Sequence, residues 1–247
     1  MPTDVEITDP KISIYVPVPP VSEGVCGVCH GATLERDLGG YWPTCWNCRS
    51  VPEGGVRTVV PISLVHTSES QLYANLRDYK SSYLSPAIRS EHALLLAATI
   101  QRFLRLHRAH LEEAAGTRWD TVQIVPSTRR RAGSHPLEEV LQMTNHRDEL
   151  GQLLRPTGEA IDHNERNPDA FAVVGEAAGR HVLLLDDTFT TGARVQSAAS
   201  ALSGPGATVI AAVPIGRVID TSHPTKQAFW RERRTLEFDF DRCCLEG

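Results

Sequence analysis

The chain has 247 residues, of which 41% are hydrophobic and 22% charged, and its formal net charge is −5. This composition is typical of a globular protein and excludes a general electrostatic attraction to nucleic acid or to an anionic membrane. The sequence shows no apolar run long enough to span a bilayer and no signal-peptide pattern at its acidic N-terminus, so we expect a cytoplasmic protein with no membrane partner.

Four cysteines dominate the N-terminal part of the chain. Residues 1–23 form an arm that ends in the proline-rich YVPVPP, and residues 24–50 contain the pattern C-x2-C-x15-C-x2-C, formed by Cys26, Cys29, Cys45 and Cys48. Two such pairs can present four thiolates to one tetrahedral Zn²⁺, with no open position for catalysis. The spacing predicts a structural zinc ribbon, and the alternative is a small core of reduced cysteines.

Residues 56–247 show the patterns of an α/β domain. Apolar residues at helical spacing predict helices over residues 68–83 and from Ala87 to about Ala115. Shorter helices are expected after Ser134, after Gly192 and around Phe229. A run rich in β-branched residues predicts a strand over residues 56–65, and apolar runs predict strands over residues 121–125, 170–174, 181–187 and 207–216.

The last two of these strands, with the helix that ends at Gly204, form a βαβ unit of about 35 residues. Such a unit requires parallel strands joined by a crossover helix. We therefore predict a doubly wound, Rossmann-like α/β domain with a parallel sheet, preceded by the small zinc ribbon.

The stretch HVLLLDDTFTTGAR, residues 181–194, carries the main functional signal. In open parallel sheets, ligands bind beyond the carboxyl ends of the strands, and a helix N-terminus at that position suits a phosphate. Asp186 and Asp187 are acceptors for sugar hydroxyls or ligands for Mg²⁺, whereas the threonines and Gly192 suit a phosphate. The stretch therefore predicts a ribose 5-phosphate site, and the alternative is an ordinary strand end with a helix cap.

VLLLDDTFTTGAR also resembles the PRPP-binding signature of the type I phosphoribosyltransferases. The resemblance implies that Asp186 and Asp187 bind the ribose hydroxyls and act as the catalytic residues. It assigns the 5′-phosphate loop to Thr188, Phe189, Thr190, Thr191 and Gly192. Thr188 and Phe189 stand where that signature more often has aliphatic residues.

A zinc ribbon before such a domain resembles the ComF-like family, named for a competence (DNA-uptake) protein. The segments LYANLRDYKSSY and IVPSTRRRAGSHPLEEVL are also similar to segments of that family. The loop of the second segment departs from it, because residues 131–136 are Arg-Ala-Gly-Ser-His-Pro where the family has an Arg-Gly-x-Asn-Gln run. The resemblance places the pyrophosphate side of the site here, with Arg129, Arg130, Arg131 and Lys80 as the candidate cations.

These observations predict a phosphoribosyltransferase that uses PRPP and Mg²⁺, transfers ribose 5-phosphate to an unknown nitrogen nucleophile and releases pyrophosphate. The alternative is a non-catalytic PRPP- or nucleotide-binding protein that acts in regulation or as an accessory factor in DNA uptake or repair. The ribbon would then contact DNA or protein, and a homodimer is compatible with either hypothesis. A third interpretation is a structural zinc protein with a vestigial strand end.

Two further groups of residues are noted. His107 and His110 lie three residues apart on the long predicted helix and could form half of a metal site, but the sequence supplies no third ligand nearby, which favours a solvated helix face. Cys243 and Cys244 are adjacent, which disfavours an ordinary disulfide between them, so we expect packed thiols.

Overall fold

The computed structural model describes residues 2–51, 54–128, 135–162 and 164–246. Its main sheet has five parallel strands in the order β1-β7-β6-β2-β3. These strands are β1 (Ser63–Val65), β2 (Thr121–Ile124), β3 (Leu150–Gly151), β6 (His181–Phe189) and β7 (Thr208–Val218). A separate antiparallel pair consists of β4 (Leu154–Pro156) and β5 (Phe171–Val173).

Six α-helices accompany these strands in the described part of the chain. They are α1 (Asp4–Thr8), α2 (Gln71–Asp78), α3 (Pro86–Ala115), α4 (Pro136–Gln142), α5 (Ala193–Ser203) and α6 (Pro224–Arg233). The longest, α3, has clear signals at both ends. The Ser85 side chain accepts a hydrogen bond from the backbone N–H of Ile88, Pro86 occupies the first turn, and Gly116 ends the helix in the left-handed region.

Helices cover both faces of the main sheet. Leu183 and Leu185 of β6 belong to a core formed with α2, α3 and α4. Side chains alternate along a strand, so Val182 and Leu184 point to the opposite face. They belong to a second core with α5 and the cysteine segment, residues 24–50. The predicted α/β class with a parallel sheet is therefore confirmed, with helices on the two faces.

The order of the strands reverses between β2 and β6. From β2 the chain adds β3 on one side, returns to place β6 on the other side of β2, and then adds β7 beyond β6. The crevice beyond the carboxyl ends of β2 and β6 is thus a topological switch point, where open α/β sheets bind their ligands.

Several predicted elements differ in extent from the observed ones. The strand expected over residues 56–65 is reduced to β1, with an isolated bridge from Val59 to Ala212, because Pro61 interrupts the run and supplies no N–H to a ladder. The strand expected over residues 170–174 is β5, which lies outside the main sheet. The helices α3, α4 and α6 agree with the predictions.

The N-terminal arm is more ordered than its composition indicates. Thr3 and Glu6 form a capping box at the start of α1, and a 3₁₀-helix follows over Asp9–Ile14. Arg105 of α3 forms an ion pair with Asp4, and the Tyr15 hydroxyl shares a hydrogen bond of 2.6 Å with Thr99. The arm therefore packs on α3 as part of the main core.

Candidate functional site

The strand that carries the two acids extends further than predicted. The sequence pattern ends this strand at Asp187, but β6 continues to Phe189, since β7 is long enough to pair Thr188 with Gly216 and Phe189 with Arg217. The loop between β6 and α5 is correspondingly short and comprises Thr190, Thr191 and Gly192.

Phe189 and Gly192 fix the shape of this loop. Gly192 has φ of +85°, a conformation that side-chain-bearing residues rarely adopt. A Cβ atom at Gly192 would lie 2.4 Å from the ring of Phe189, whose side chain is 1% exposed. Phe189 is therefore a buried support beneath the loop, and its assignment to the phosphate-contacting residues applies only to its backbone.

The side chains of Asp186 and Asp187 are buried, and both form hydrogen bonds and ion pairs. Asp187 accepts hydrogen bonds from the Tyr79 hydroxyl at 3.1 Å and the Thr188 hydroxyl at 3.0 Å, and it forms an ion pair with Lys80. Asp186 accepts from one guanidinium nitrogen of Arg194 at 3.0 and 3.2 Å. Two carboxylates at the end of one strand are thus held between two cations.

The two carboxyl groups have opposite pKa shifts. Burial raises the pKa of Asp186 to about 7, although the nearby Arg194 opposes this effect. Burial also acts to raise the pKa of Asp187, but the charges of Lys80 and Arg194 outweigh it and hold that pKa at about 2. Near neutral pH, Asp187 is therefore the fixed negative charge, and Asp186 is the group that titrates.

An open cleft of about 440 Å³ lies at the switch point and contains these groups. From β6 and α5 it is lined by residues 186–195, and from other elements by Lys80, Ser127, Thr128, Ile161 and Asp162. The structure thus brings Lys80, both acids and the predicted loop to one cavity. Arg129, Arg130 and Arg131 lie outside the described residues, although Thr128, their neighbour in the chain, lines the cleft.

Sequence reasoning missed two contributors to this site, Arg194 and Tyr79. Arg194 is the last residue of the motif and stands in the first turn of α5, which returns its side chain to Asp186. Tyr79 occupies an apolar position of the helical pattern over residues 68–83 and is 4% exposed, but its hydroxyl reaches Asp187. A buried tyrosine requires a partner for its hydroxyl, which is the signal that could have indicated this contact.

The four predicted zinc ligands also lie together. The ligand atoms of Cys26, Cys29, Cys45 and Cys48 are all within 4.8 Å of one another. The Cys26 N–H donates to the Gly31 carbonyl at 2.8 Å, and the His30 N–H donates to the Cys26 carbonyl at 3.0 Å, which forms a tight turn around the first pair. Four sulfur atoms at this spacing can hold a structural zinc ion.

His30, which follows the first cysteine pair, is not one of the four clustered residues. Its Nδ1 forms a hydrogen bond of 2.9 Å with the Pro19 carbonyl, and burial lowers the pKa of its imidazole. The pKa of Cys29 is held well below its ordinary value by hydrogen bonds with the other cysteines, Cys26 above all, and by the charge of Arg217. Hydrogen bonds with Cys26 and Cys29 raise the pKa values of Cys45 and Cys48 instead.

Arg217 connects the cysteine segment to the loop of the cleft. Its side chain is buried, and its guanidinium donates to the carbonyl oxygens of Phe189, at 3.3 Å, and of Thr190, at 2.9 Å. A Cβ atom at Gly31 would lie 2.8 Å from the same guanidinium. The cysteine segment and the β6–α5 loop therefore lie on opposite sides of the buried Arg217 side chain.

Comparison of this chain with family models, curated proteins and solved structures found no match. Among the described residues, no helix combines the length and the apolar character that crossing a bilayer requires. The fold and the site define an α/β protein with an open cleft at its switch point and a four-cysteine cluster.

Proposed function

We propose that this protein binds PRPP with Mg²⁺ in the cleft and transfers ribose 5-phosphate to a nitrogen nucleophile, in the manner of a type I phosphoribosyltransferase. The observation that carries the proposal is the convergence of Asp186, Asp187 and the loop ending in Gly192 at the switch point of the sheet. Carboxyl groups, which accept hydrogen bonds from sugar hydroxyls, beside a loop at a helix N-terminus, which suits a phosphate, match a sugar phosphate.

The loop is the proposed 5′-phosphate site. Thr190 and Thr191 supply hydroxyl donors to the cleft, and Gly192, the N-cap residue of α5, has no side chain to compete for the first N–H groups of that helix. Phe189 supports the loop from below, so the phosphate would meet a surface whose shape is fixed before binding. A fixed phosphate would in turn orient the C1 atom of the ribose.

The acids are the proposed ribose contacts. Loss of pyrophosphate leaves positive charge on the ribosyl centre, and a buried negative charge nearby stabilises that state more than the neutral substrate. Asp187, with its pKa near 2, supplies that charge throughout the neutral range. Tyr79 and Thr188 hold its carboxylate in place through their hydroxyl groups.

Lys80 and Arg194 are the proposed partners of the leaving group, together with Arg129, Arg130 and Arg131. Both cations lie against the acids, and both line the cleft. Binding of the sugar hydroxyls to the acids would release the cations towards the diphosphate, where arginine and lysine are effective. Mg²⁺, which prefers oxygen ligands, would enter with the diphosphate and offset the charge that develops on it.

A second candidate function is binding without turnover. The departure of residues 131–136 from the family pattern favours it, because the resemblance assigns that loop to the pyrophosphate side of the site. The ion pairs of Asp186 and Asp187, which a ribose must displace from a buried position, are a cost that both functions share. Such a protein would serve as a regulator or as an accessory factor, with the cysteine segment as its contact to DNA or protein.

Calorimetric titration with PRPP and Mg²⁺ tests the site. We expect binding to the unmodified protein and a loss of at least about tenfold in affinity when Asp186→Asn and Asp187→Asn are combined, because both sugar contacts are weakened. Asp148→Asn is the matched control, since that side chain is 90% exposed and lies outside the cleft. Equal affinity in the double variant and the control would refute the proposed site.

Release of pyrophosphate then separates the two functions. Steady release with one member of a panel of nitrogen bases and amines indicates transfer. Binding of Mg²⁺–PRPP without release across the whole panel indicates a binding protein.

A further inference from the structure

A second cluster of metal-ligating side chains lies outside the cleft. It consists of His107 and His110 of α3 with Cys243 and Glu246 of the C-terminal segment, and their ligand atoms all lie within 4.8 Å of one another. The sequence shows the two histidines as an isolated pair, because their partners are more than 130 residues away. None of the four lines the cleft at the switch point.

Most separations within this cluster are close to those around a tetrahedral ion, and the exception is the shorter distance between His110 and Glu246, which are in direct contact with each other. His107 Nδ1 lies 3.4 Å from His110 Nδ1 and 3.6 Å from a carboxylate oxygen of Glu246, which in turn lies 2.8 Å from His110 Nδ1. The Cys243 sulfur lies 3.8 Å from His110 Nδ1 and 3.7 Å from the same Glu246 oxygen. Tetrahedral zinc, with bonds of about 2.0–2.3 Å, separates its ligand atoms by about 3.3–3.8 Å.

A hydrogen bond behind the cluster orients its most buried member. His107 is 1% exposed, and its Nε2 lies 2.7 Å from the Phe240 carbonyl, which can only accept. Nε2 therefore carries the proton, and Nδ1 directs its lone pair at the other three ligands. Histidines that bind metals are commonly oriented in this way, by donating from the second ring nitrogen to a carbonyl or carboxylate.

We propose that His107, His110, Cys243 and Glu246 bind one divalent transition-metal ion of the zinc class, at a structural site separate from the four-cysteine cluster. Two neutral imidazoles, one thiolate and one carboxylate offset the double positive charge of such an ion, which suits a half-buried position. The four ligands complete a tetrahedral shell, so the site is structural.

The ion would fasten the C-terminal segment to α3. In that segment Phe238 stacks on Tyr15, with ring centroids 5.0 Å apart, and Phe240 meets the same ring edge-on at 5.1 Å. The segment has neither helix nor strand from Leu236 to Glu246, so side-chain contacts alone hold it against the N-terminal arm and α3. A metal link at its end stabilises the packing of both chain ends.

Zinc analysis of the full-length protein tests the inference. Each variant, His110→Ala and Glu246→Gln, is expected to hold one zinc equivalent fewer than the unmodified protein after brief treatment with a chelator. The matched control is Cys244→Ser, which alters the neighbouring buried thiol outside the cluster and is expected to hold as much zinc as the unmodified protein.

The comparison isolates the second site whatever the four-cysteine cluster holds, because that cluster is unchanged in all three variants. Glu246 and His110 are each more than one-third exposed, so their replacement leaves the core intact. Zinc contents equal to that of the unmodified protein in both variants would overturn the proposal and identify the cluster as an ion pair of His110 with Glu246. A loss in Cys244→Ser as large as in the two ligand variants would also overturn it.

Discussion

At the residue scale, Asp186 is the group that gives the cleft its dependence on pH. Its carboxyl is buried beside a second carboxyl, and the charges of Arg194 and Lys80 with the Asp187 N–H offset only part of the cost of ionising it. Because its pKa of about 7 exceeds the ordinary value of 3.8, the folded protein retains this proton after the unfolded chain has released it.

We therefore expect Asp186 to reduce the free energy of unfolding as pH rises from about 4 to about 7. The slope is at most about 1.4 kcal/mol per pH unit. Asp187, whose pKa is lowered to about 2, changes the free energy of unfolding at lower pH and in the opposite sense. Its stabilising contribution is lost as the pH falls towards that pKa. Urea unfolding at several pH values, with Asp186→Asn as the comparison, measures the effect. Parallel stability profiles for the two proteins would contradict it.

Gly192 is the second residue with a specific conformational role. Alanine at this position meets both an unfavourable φ of +85° and the ring of Phe189, so Gly192→Ala is expected to destabilise the fold by about 2 kcal/mol or more and to weaken PRPP binding.

Gly116→Ala separates these two causes. Gly116 has a similar φ of +67°, but a Cβ atom there has no neighbour within 4 Å, so we expect a cost of only about 1 kcal/mol. Thermal and urea unfolding of the two variants give the comparison, and equal costs would show that contact with Phe189 is unimportant.

At the scale of elements, the arrangement of interest is the contact of the cysteine segment with the β6–α5 loop through Arg217. Arg217→Met keeps the length of the side chain but leaves the carbonyls of Phe189 and Thr190 without this donor. We expect a loss of about 1–3 kcal/mol in stability, the cost of leaving one buried carbonyl, that of Phe189, without its partner. Hydrogen exchange should accelerate at Thr190–Gly192 and in the cysteine segment together.

Arg180→Met provides the control for this prediction. Arg180 is half exposed, and its ion pair with Asp120 lies at the other end of β6. Exchange at the loop should not change in this variant, because surface ion pairs contribute little to stability. If hydrogen exchange in Arg217→Met accelerates only at the loop or only in the cysteine segment, the cysteine segment does not support the loop.

At the scale of the whole molecule, the structure joins parts that are distant in the sequence. The sheet order brings Ser127 and Thr128, which follow β2, into one cleft with the acids of β6, and the turn after α2 adds Tyr79 and Lys80 from more than 100 residues away. The two chain ends meet on α3, where the second metal cluster forms. Both sites therefore depend on the packing of the sheet with its helices.

The sequence by itself determined the local features. Continuous apolar runs predicted β6 and β7, helical spacing predicted α3 and α5, and the cysteine spacing predicted the four-thiol cluster. DDTFTTG indicated the strand end where a ligand would bind. These signals depend on near neighbours in the chain. Only the tertiary structure decided what surrounds the acids, where Phe189 points, and that His107 and His110 gain Cys243 and Glu246 as partners. Those contacts join elements whose relative position depends on how the whole core packs, and no local sequence pattern encodes which distant elements will meet.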